Sequence, residues 1–240
     1  KIGVRKAPAP EGRPGFIRID SVHQGDLDGT KGLYHINAVD CVTQWQVVAS
    51  VQAISEAHLL SVIEEMLAQF PFEILGFHAD NGSEYVNHKV ARLLEKLRIE
   101  FTRSRPRHSN DNGLAETKNG AVVRKEFGYE HIHRRHAARF DTYCREYLNP
   151  FLNFHRPCLF ATELPDPKKP GRIKRVYRPR DAMTPLDKLA SLPQAASFLR
   201  PGVTLLELQQ LARALTDVQA AEELNEARQA LFKRAATRTG

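Results

Sequence analysis

The sequence predicts an α/β layer fold, and three observations carry that reading. Apolar residues alternate in three consecutive short runs near the start. Apolar stripes at helical spacing follow them. Further short runs, too brief for helices, separate those stripes. The alternating Phe16-Ile17-Arg18-Ile19-Asp20 is the first strand, Leu33 to Val39 the second and Trp45 to Val51 the third. The first loop, Gly25 to Gly32, supplies turn chemistry, and the short connections point to an antiparallel meander. Ser55 stands as an N-cap before Leu59, Leu60, Ile63, Met66, Leu67 and Phe70, which space out a helix over 56–69 that Pro71 ends. Residues 73–78 are a fourth strand. Val90, Leu93, Leu94 and Leu97 mark a second helix, and Ile99-Glu100-Phe101 a fifth strand. The first hundred residues thus read βββαβαβ.

Residues 103–113, RSRPRHSNDNG, form a polar loop. A helix is expected from Leu114 to about Phe127 despite Gly120, and another over 137–154, broken near Pro150. From 156 the character changes. Prolines become frequent, and 168–180 holds seven Lys/Arg and no acid. The expected organisation is an arm or linker at 1–14, a core at 15–155, a small basic β module at 156–185 and a helical tail at 186–240. The tail stripe (Leu205, Leu208, Leu211, Ala212, Leu215) either packs on its own chain or serves assembly.

Composition narrows the function. Thirty-five Lys+Arg against 28 Asp+Glu leave a net charge of +7, which favours a polyanionic partner, most simply nucleic acid. Cys41, Cys144 and Cys158 are too few and scattered for a disulfide framework, so a reducing, cytoplasmic setting is expected. No run approaches a transmembrane helix, no signal-peptide pattern opens the chain, and no P-loop pattern occurs. The chain begins with Lys1, and a piece of a longer protein is expected.

The chemistry concentrates in carboxylates. Asp20 ends the first strand, and the fourth runs into Asp80 within His78-Ala-Asp-Asn-Gly-Ser-Glu-Tyr85. Asn-Gly marks a turn there. Glu116 falls in the first turn of the helix after the polar loop. If the first and fourth strands are neighbours, Asp20 and Asp80 meet at one sheet edge, and the helix can bring Glu116 to them. Three close carboxylates repel one another and call for cations. Oxygen ligands of this type suit Mg²⁺ or Mn²⁺, and two such ions serve an in-line phosphoryl transfer.

The order of elements, Asp20, HADNGSEY and SRPRHSNDNGLAETKNG (104–120) resemble the retroviral-integrase-like DDE recombinases. Thirty-five residues separate Asp80 from Glu116, the spacing of the D,D(35)E class. The resemblance runs from about Arg13 to Phe154, and FLNFHRPC (151–158) with the basic stretch after it is similar to the C-terminal region of bacterial insertion-sequence transposases. It implies a ribonuclease-H-like mixed sheet flanked by helices, with a small β module and a helical tail behind. It also implies a transposase or integrase that cuts DNA and transfers a 3′-OH strand, with Asp20, Asp80 and Glu116 as catalytic metal ligands. The partners implied are element-end and target DNA and further copies of the chain, in a bacterial cytoplasm. Two alternatives stand beside it: a purely hydrolytic nuclease of the same fold, and a DNA-binding fragment without activity.

Other residues take roles by position. Arg103, Arg105, Arg107 and His108 form a basic cluster before Glu116, a phosphate-contacting loop by the resemblance and a solvated charge run otherwise. Asn119 shares the face of Glu116 one turn on and is expected to contact DNA there. Arg124 is a DNA-contact candidate by position. The retroviral members carry basic residues where this chain has Gly120 and Val123. Lys168, Lys169, Lys174 and Arg175 are expected to bind phosphates without sequence preference, or to be a solvated linker. Asp26, Asp28 and Asp40 rival Asp20; the first two fit a solvated turn, and Asp40 a structural end of the second strand. His78 alternates onto the side of Asp80, where a satisfied polar contact is its expected role. His131, His133, His136 and Cys144 include only one cysteine and are expected to be a basic segment rather than a zinc site.

Overall fold

The structure, a computed structural model, describes residues 2–80, 85–108, 111–167 and 171–236. In chain order the strands of the first half are β1 (Val4–Arg5), β2 (Phe16–His23), β3 (Asp26–Leu27), β4 (Thr30–Lys31), β5 (Tyr34–Asp40) and β6 (Gln46–Val51). Helix α1 (Glu56–Leu67), β7 (Gly76–Ala79), α2 (His88–Lys96) and β8 (Glu100–Arg103) follow. The main sheet has the order β1-β8-β7-β2-β5-β6. The meander β2-β5-β6 is antiparallel, whereas β7 and β8 run parallel to β2. The meander is the one the strand pattern gave, and the mixed sheet the one the resemblance implied.

Alternation sends the residues of β2 to two layers. Ile17 and Ile19 join Ile36, Ala38, Val47 and the apolar faces of α1 and α2. Val22 faces the other way, with Leu33, Val48, Phe127 and Phe140. Arg18 and Asp20 share the parity of Val22, so the candidate carboxylate lies on the second face. Asn87 caps α2 by accepting from the backbone N–H of Lys89 and Val90.

Three features exceed the sequence reading. The arm contributes β1, which pairs in parallel with β8 and covers that sheet edge. Lys6 ion-pairs with Glu100 beside it. The Gly25–Gly32 turn is itself a small hairpin, β3 against β4, with Asp28 and Gly29 at positive φ. Gly32 is required by close approach, since a Cβ there would sit 2.2 Å from the Gln24 carbonyl oxygen.

The second face is covered by α3 (Gly113–Lys118), a π-helical turn (Asn119–Arg124) and α4 (Lys125–Phe127), which form one continuous helical run through Gly120. A second run comprises α5 (Ala137–Tyr143), a π-helical turn (Cys144–Leu148) and α6 (Asn149–Phe154). The expected break at Pro150 does not occur. Proline cannot donate a backbone hydrogen bond, and the wider π turn just before it together with its place at the start of α6 accommodates that loss.

This second run lies along the edge strand β6. Asn153 accepts from the Gln46 N–H and donates to the Gln46 carbonyl. Asn149 does the same for Val48, and Asp141 accepts from the Ser50 N–H. Beyond it come the hairpin β9 (Ala161–Pro165) and β10 (Ile173–Tyr177), then α7 (Pro185–Ala190), α8 (Leu205–Arg213) and α9 (Asp217–Ala236). The tail packs on its own chain: Leu231 is buried, and the Phe232 ring meets Phe140 edge-on. Arg228 donates to the Glu126 carbonyl at 2.8 Å. No helix among the described residues is long and apolar enough to cross a membrane.

Candidate active site

Strand register places the first two carboxylates. β2 and β7 run parallel, and their last registered pair is Ile19 with Ala79. Asp20 and Asp80 each follow that pair by one residue. Glu116 arrives from α3, whose start is tied to β2 by the Asn112 side chain donating to the Ile19 carbonyl at 3.1 Å. The carboxyl of Asp20 is pushed above its ordinary range, first by burial and then by the charges of Asp80 and Glu116. Asp20 is therefore within electrostatic reach of both Asp80 and Glu116.

They do not converge further. Among the described residues no group of three His, Cys, Asp or Glu is gathered closely enough to hold a metal ion as it stands. Glu116 is exposed on α3. The donor set itself fits a hard divalent cation: oxygen ligands of one charge, with a partly buried member whose negative form is disfavoured.

Each aspartate is held by specific donors. Asp20 Oδ1 accepts from the Ser21 N–H at 2.8 Å, and Oδ2 accepts from Asn119 Nδ2 at 2.7 Å. Asp80 Oδ1 accepts from the Ser104 hydroxyl. Ser104 Oγ lies 3.4 Å from His78 Nε2, and His78 Nδ1 lies 2.8 Å from Thr102 Oγ1. His78 is buried, and burial lowers its pKa to about 4, so the ring is neutral near pH 7. It makes the satisfied polar contact expected of it.

The rival acids fall elsewhere. Asp40 is buried and accepts from Gly15 N, Val42 N, Thr43 N and the Thr43 hydroxyl, which pins the turn after β5. Asp26 and Asp28 are exposed in the small hairpin. Cys144 points to Ser50 on β6 rather than to the histidines.

The basic loop divides in function. Arg105 forms a fork to Asp111, with Nε to Oδ2 at 2.9 Å and Nη2 to Oδ1 at 2.7 Å. That guanidinium holds the nearly buried Asp111 carboxyl well below the usual carboxylate range. Arg103 ends β8, and Arg107 and His108 are exposed. Asn119 turns its amide inward to Asp20. Arg124 lies at the other end of β2, where it donates to the His23 and Gly128 carbonyls and to Gln24 Oε1 and stacks over Tyr129. Lys168 and Lys169, like Asn81, Gly82 and Glu84, lie outside the described residues.

A cavity of about 950 Å³ opens between α3 and the β9–β10 hairpin. Arg18, Lys118, Arg156, Arg175 and Lys188 line it, with Glu163 as the one acid among the lining residues. Tyr177, 58% exposed, and Phe160 add aromatic surface. Arg175 pairs with Glu163 at 3.1 Å, and Lys118 Nζ lies 3.1 Å from Cys158 Sγ. Lys174 alternates to the opposite side of β10. Four of these five cations escaped the sequence reading. Only Arg18 carried a local signal, since it stands two residues before Asp20 on the same strand face.

Residues 12–109 match the family described as "Integrase core domain". A Sinorhizobium fredii protein, "Uncharacterized protein y4rM", is 30% identical over 117 residues, which are 48% of this chain and 33% of that one. The chain thus spans about a third of the length of this curated relative (33%). Among solved structures, a chain of the simian T-cell lymphotropic virus intasome in complex with PP2A regulatory subunit B56 gamma is similar at 18% identity and TM-score 0.44, covering 54% of this chain and 45% of that chain. The HTLV-2 integrase catalytic core domain in complex with magnesium, in its dimeric form, is 14% identical at TM-score 0.43, covering 60% of this chain and 90% of that one.

Proposed function

With residues 12–109 belonging to the integrase core domain family, of ribonuclease-H-like fold, we propose that the chain is a DNA strand-transfer enzyme of the transposase type. The observation that supports it best is the placement of Asp20 and Asp80 side by side beyond the Ile19–Ala79 pair, with Glu116 in electrostatic reach. In this reading the three carboxylates hold Mg²⁺ or Mn²⁺, two ions in the working site. When bound, such ions favour a water or sugar hydroxyl as nucleophile and stabilise the leaving oxygen of an in-line displacement.

The chain's own groups supply the rest. Asn119 and the Ser21 N–H fix the rotamer of Asp20, and Ser104 fixes Asp80. The Arg105–Asp111 fork holds the loop that leads into α3, so Glu116 starts from a defined backbone. Arg107, His108 and the cations of the large cavity neutralise phosphates along the DNA. Element-end and target DNA are the substrates, and copies of the chain work together on paired ends.

The test is cleavage and joining of labelled element-end DNA with Mg²⁺ or Mn²⁺, comparing the parent with Glu116→Gln. Joined products that vanish in the variant are expected. Hydrolysis without joining supports a nuclease, and equal activity in both proteins removes Glu116 from the chemistry.

A further inference from the structure

The amide bonded to Asp20 is the end of a buried relay. Asn119 can present an N–H to Asp20 only if its carbonyl oxygen faces the other way. That oxygen accepts from Asn37 Nδ2 at 2.9 Å. Asn37 is fully buried (0% exposed) and is the registered partner of Asp20 across β2 and β5. Its second amide proton goes to the Ala115 carbonyl at 3.2 Å, one residue before Glu116. Its own oxygen accepts from Gln46 Nε2 at 2.8 Å. Gln46 is in turn held through its backbone by Asn153, whose side chain both accepts from and donates to it.

Every link in this series has the same polarity. Gln46 donates to Asn37, Asn37 to Asn119, and Asn119 to Asp20. A primary amide has donor and acceptor at opposite ends, so fixing one link fixes the next. Each carboxylate oxygen of Asp20 receives one proton donor and keeps lone-pair capacity for another ligand. An apolar residue at 37 would leave Gln46 Nε2 and the Ala115 carbonyl without these partners. It would leave the Asn119 amide free to turn its oxygen toward a carboxylate.

We propose that Asn37, backed by Gln46, is a positioning residue for the candidate metal site. It acts through Asn119 to set the orientation in which Asp20 meets a divalent cation. The inference rests on the reading of Asp20 as a cation ligand.

The test is a double-mutant cycle read by Mn²⁺ titration calorimetry and by the side-chain amide resonances of Asn119, on the full chain. Asn37→Leu is expected to weaken Mn²⁺ binding about tenfold, the usual scale for losing support behind a ligand. Asn119→Leu is expected to do the same, and the double variant to be no weaker than Asn119→Leu alone. In Asn37→Leu the two Asn119 amide protons should shift and exchange faster with solvent. Effects on affinity that multiply, or an Asn37→Leu affinity within about twofold of the parent, overturn the proposal. If Asn37→Leu does not fold, Gln46→Met removes only the donor behind Asn37. It should weaken Mn²⁺ binding measurably, and unchanged affinity there counts against the relay. An Asp20→Asn variant that binds Mn²⁺ as the parent does overturns the cation reading, and the role of Asn37 with it. Unchanged Asn119 resonances in Asn37→Leu overturn the relay alone.

Discussion

Asp20 and Asp80 stand side by side on parallel strands, one step past the last pair the two strands share, Ile19 and Ala79. With Glu116 in reach, the metal-free site is self-repelling. Removing one charge should therefore relieve it. Glu116→Gln is expected to raise the metal-free melting temperature by about 1–3 °C, the shift that a fraction of a kcal/mol gives at this size. The parent should gain stability on adding Mn²⁺ and the variant much less. Differential scanning fluorimetry with and without chelator reads both effects. A variant that melts lower without metal and gains equally with it would remove Glu116 from the cluster.

Acid sensitivity should come from buried neutral histidines. His35 packs flat on Phe127 at 4.0 Å and bonds Ser50, and burial lowers its pKa to about 3. Burial lowers His78 to about 4. The unfolded chain takes up these protons near pH 6.5, whereas the folded chain resists until far lower. Their contribution is therefore complete above pH 6.5 and falls as pH drops towards 4, by about 1.4 kcal/mol per pH unit for each ring. Urea unfolding at several pH values reads this slope, and His35→Gln should remove one histidine's share.

The loop before Glu116 depends on one ion pair. Arg105 forks onto Asp111, which is 4% exposed. Asp111→Ala removes both fork contacts and the bond from the Arg105 N–H. Strand-joining turnover is expected to fall about tenfold or more, because a small displacement of a positioned group costs on this scale. Substrate affinity should change little. A loss confined to KM would assign Arg105 to binding DNA rather than to holding the loop.

The large basic cavity should reveal itself in salt dependence. Arg175→Ser and Lys188→Ser each remove one lining cation. Each is expected to weaken DNA binding to a similar degree across sequences and to reduce the slope of log K against log salt by about 0.9. Lys174→Ser, on the other side of β10, should leave the slope unchanged. Equal slopes in all three would place the DNA elsewhere.

Local patterns were enough for the strands and helices that build the sheet, because alternation and helical stripes report burial directly. They also set Asp20 and Asp80 at the ends of two strands that the sheet makes parallel neighbours. Long-range partners were not legible. Asn37 and Gln46 read only as polar interruptions in two strands, because their role depends on Asn119, more than 70 residues on. Arg124 stood as a DNA-contact candidate by position, whereas its guanidinium reaches back to the end of β2. The extra strand β1 was hidden in a Pro- and Gly-rich arm, where two residues carry no period. Pro150 signalled a break that the π turn before it absorbs.

The side chains of Asp141, Asn149 and Asn153 meet the outward-facing backbone of β6 as a neighbouring strand would. An open strand edge is a template on which another chain can add, the first step towards fibrils. Here a helix occupies every one of those positions with fixed side chains, so growth of the sheet on this side is closed off. Any association between copies of the chain would have to use other surfaces, and loss of Asn149 or Asn153 would be felt in aggregation during refolding as well as in stability.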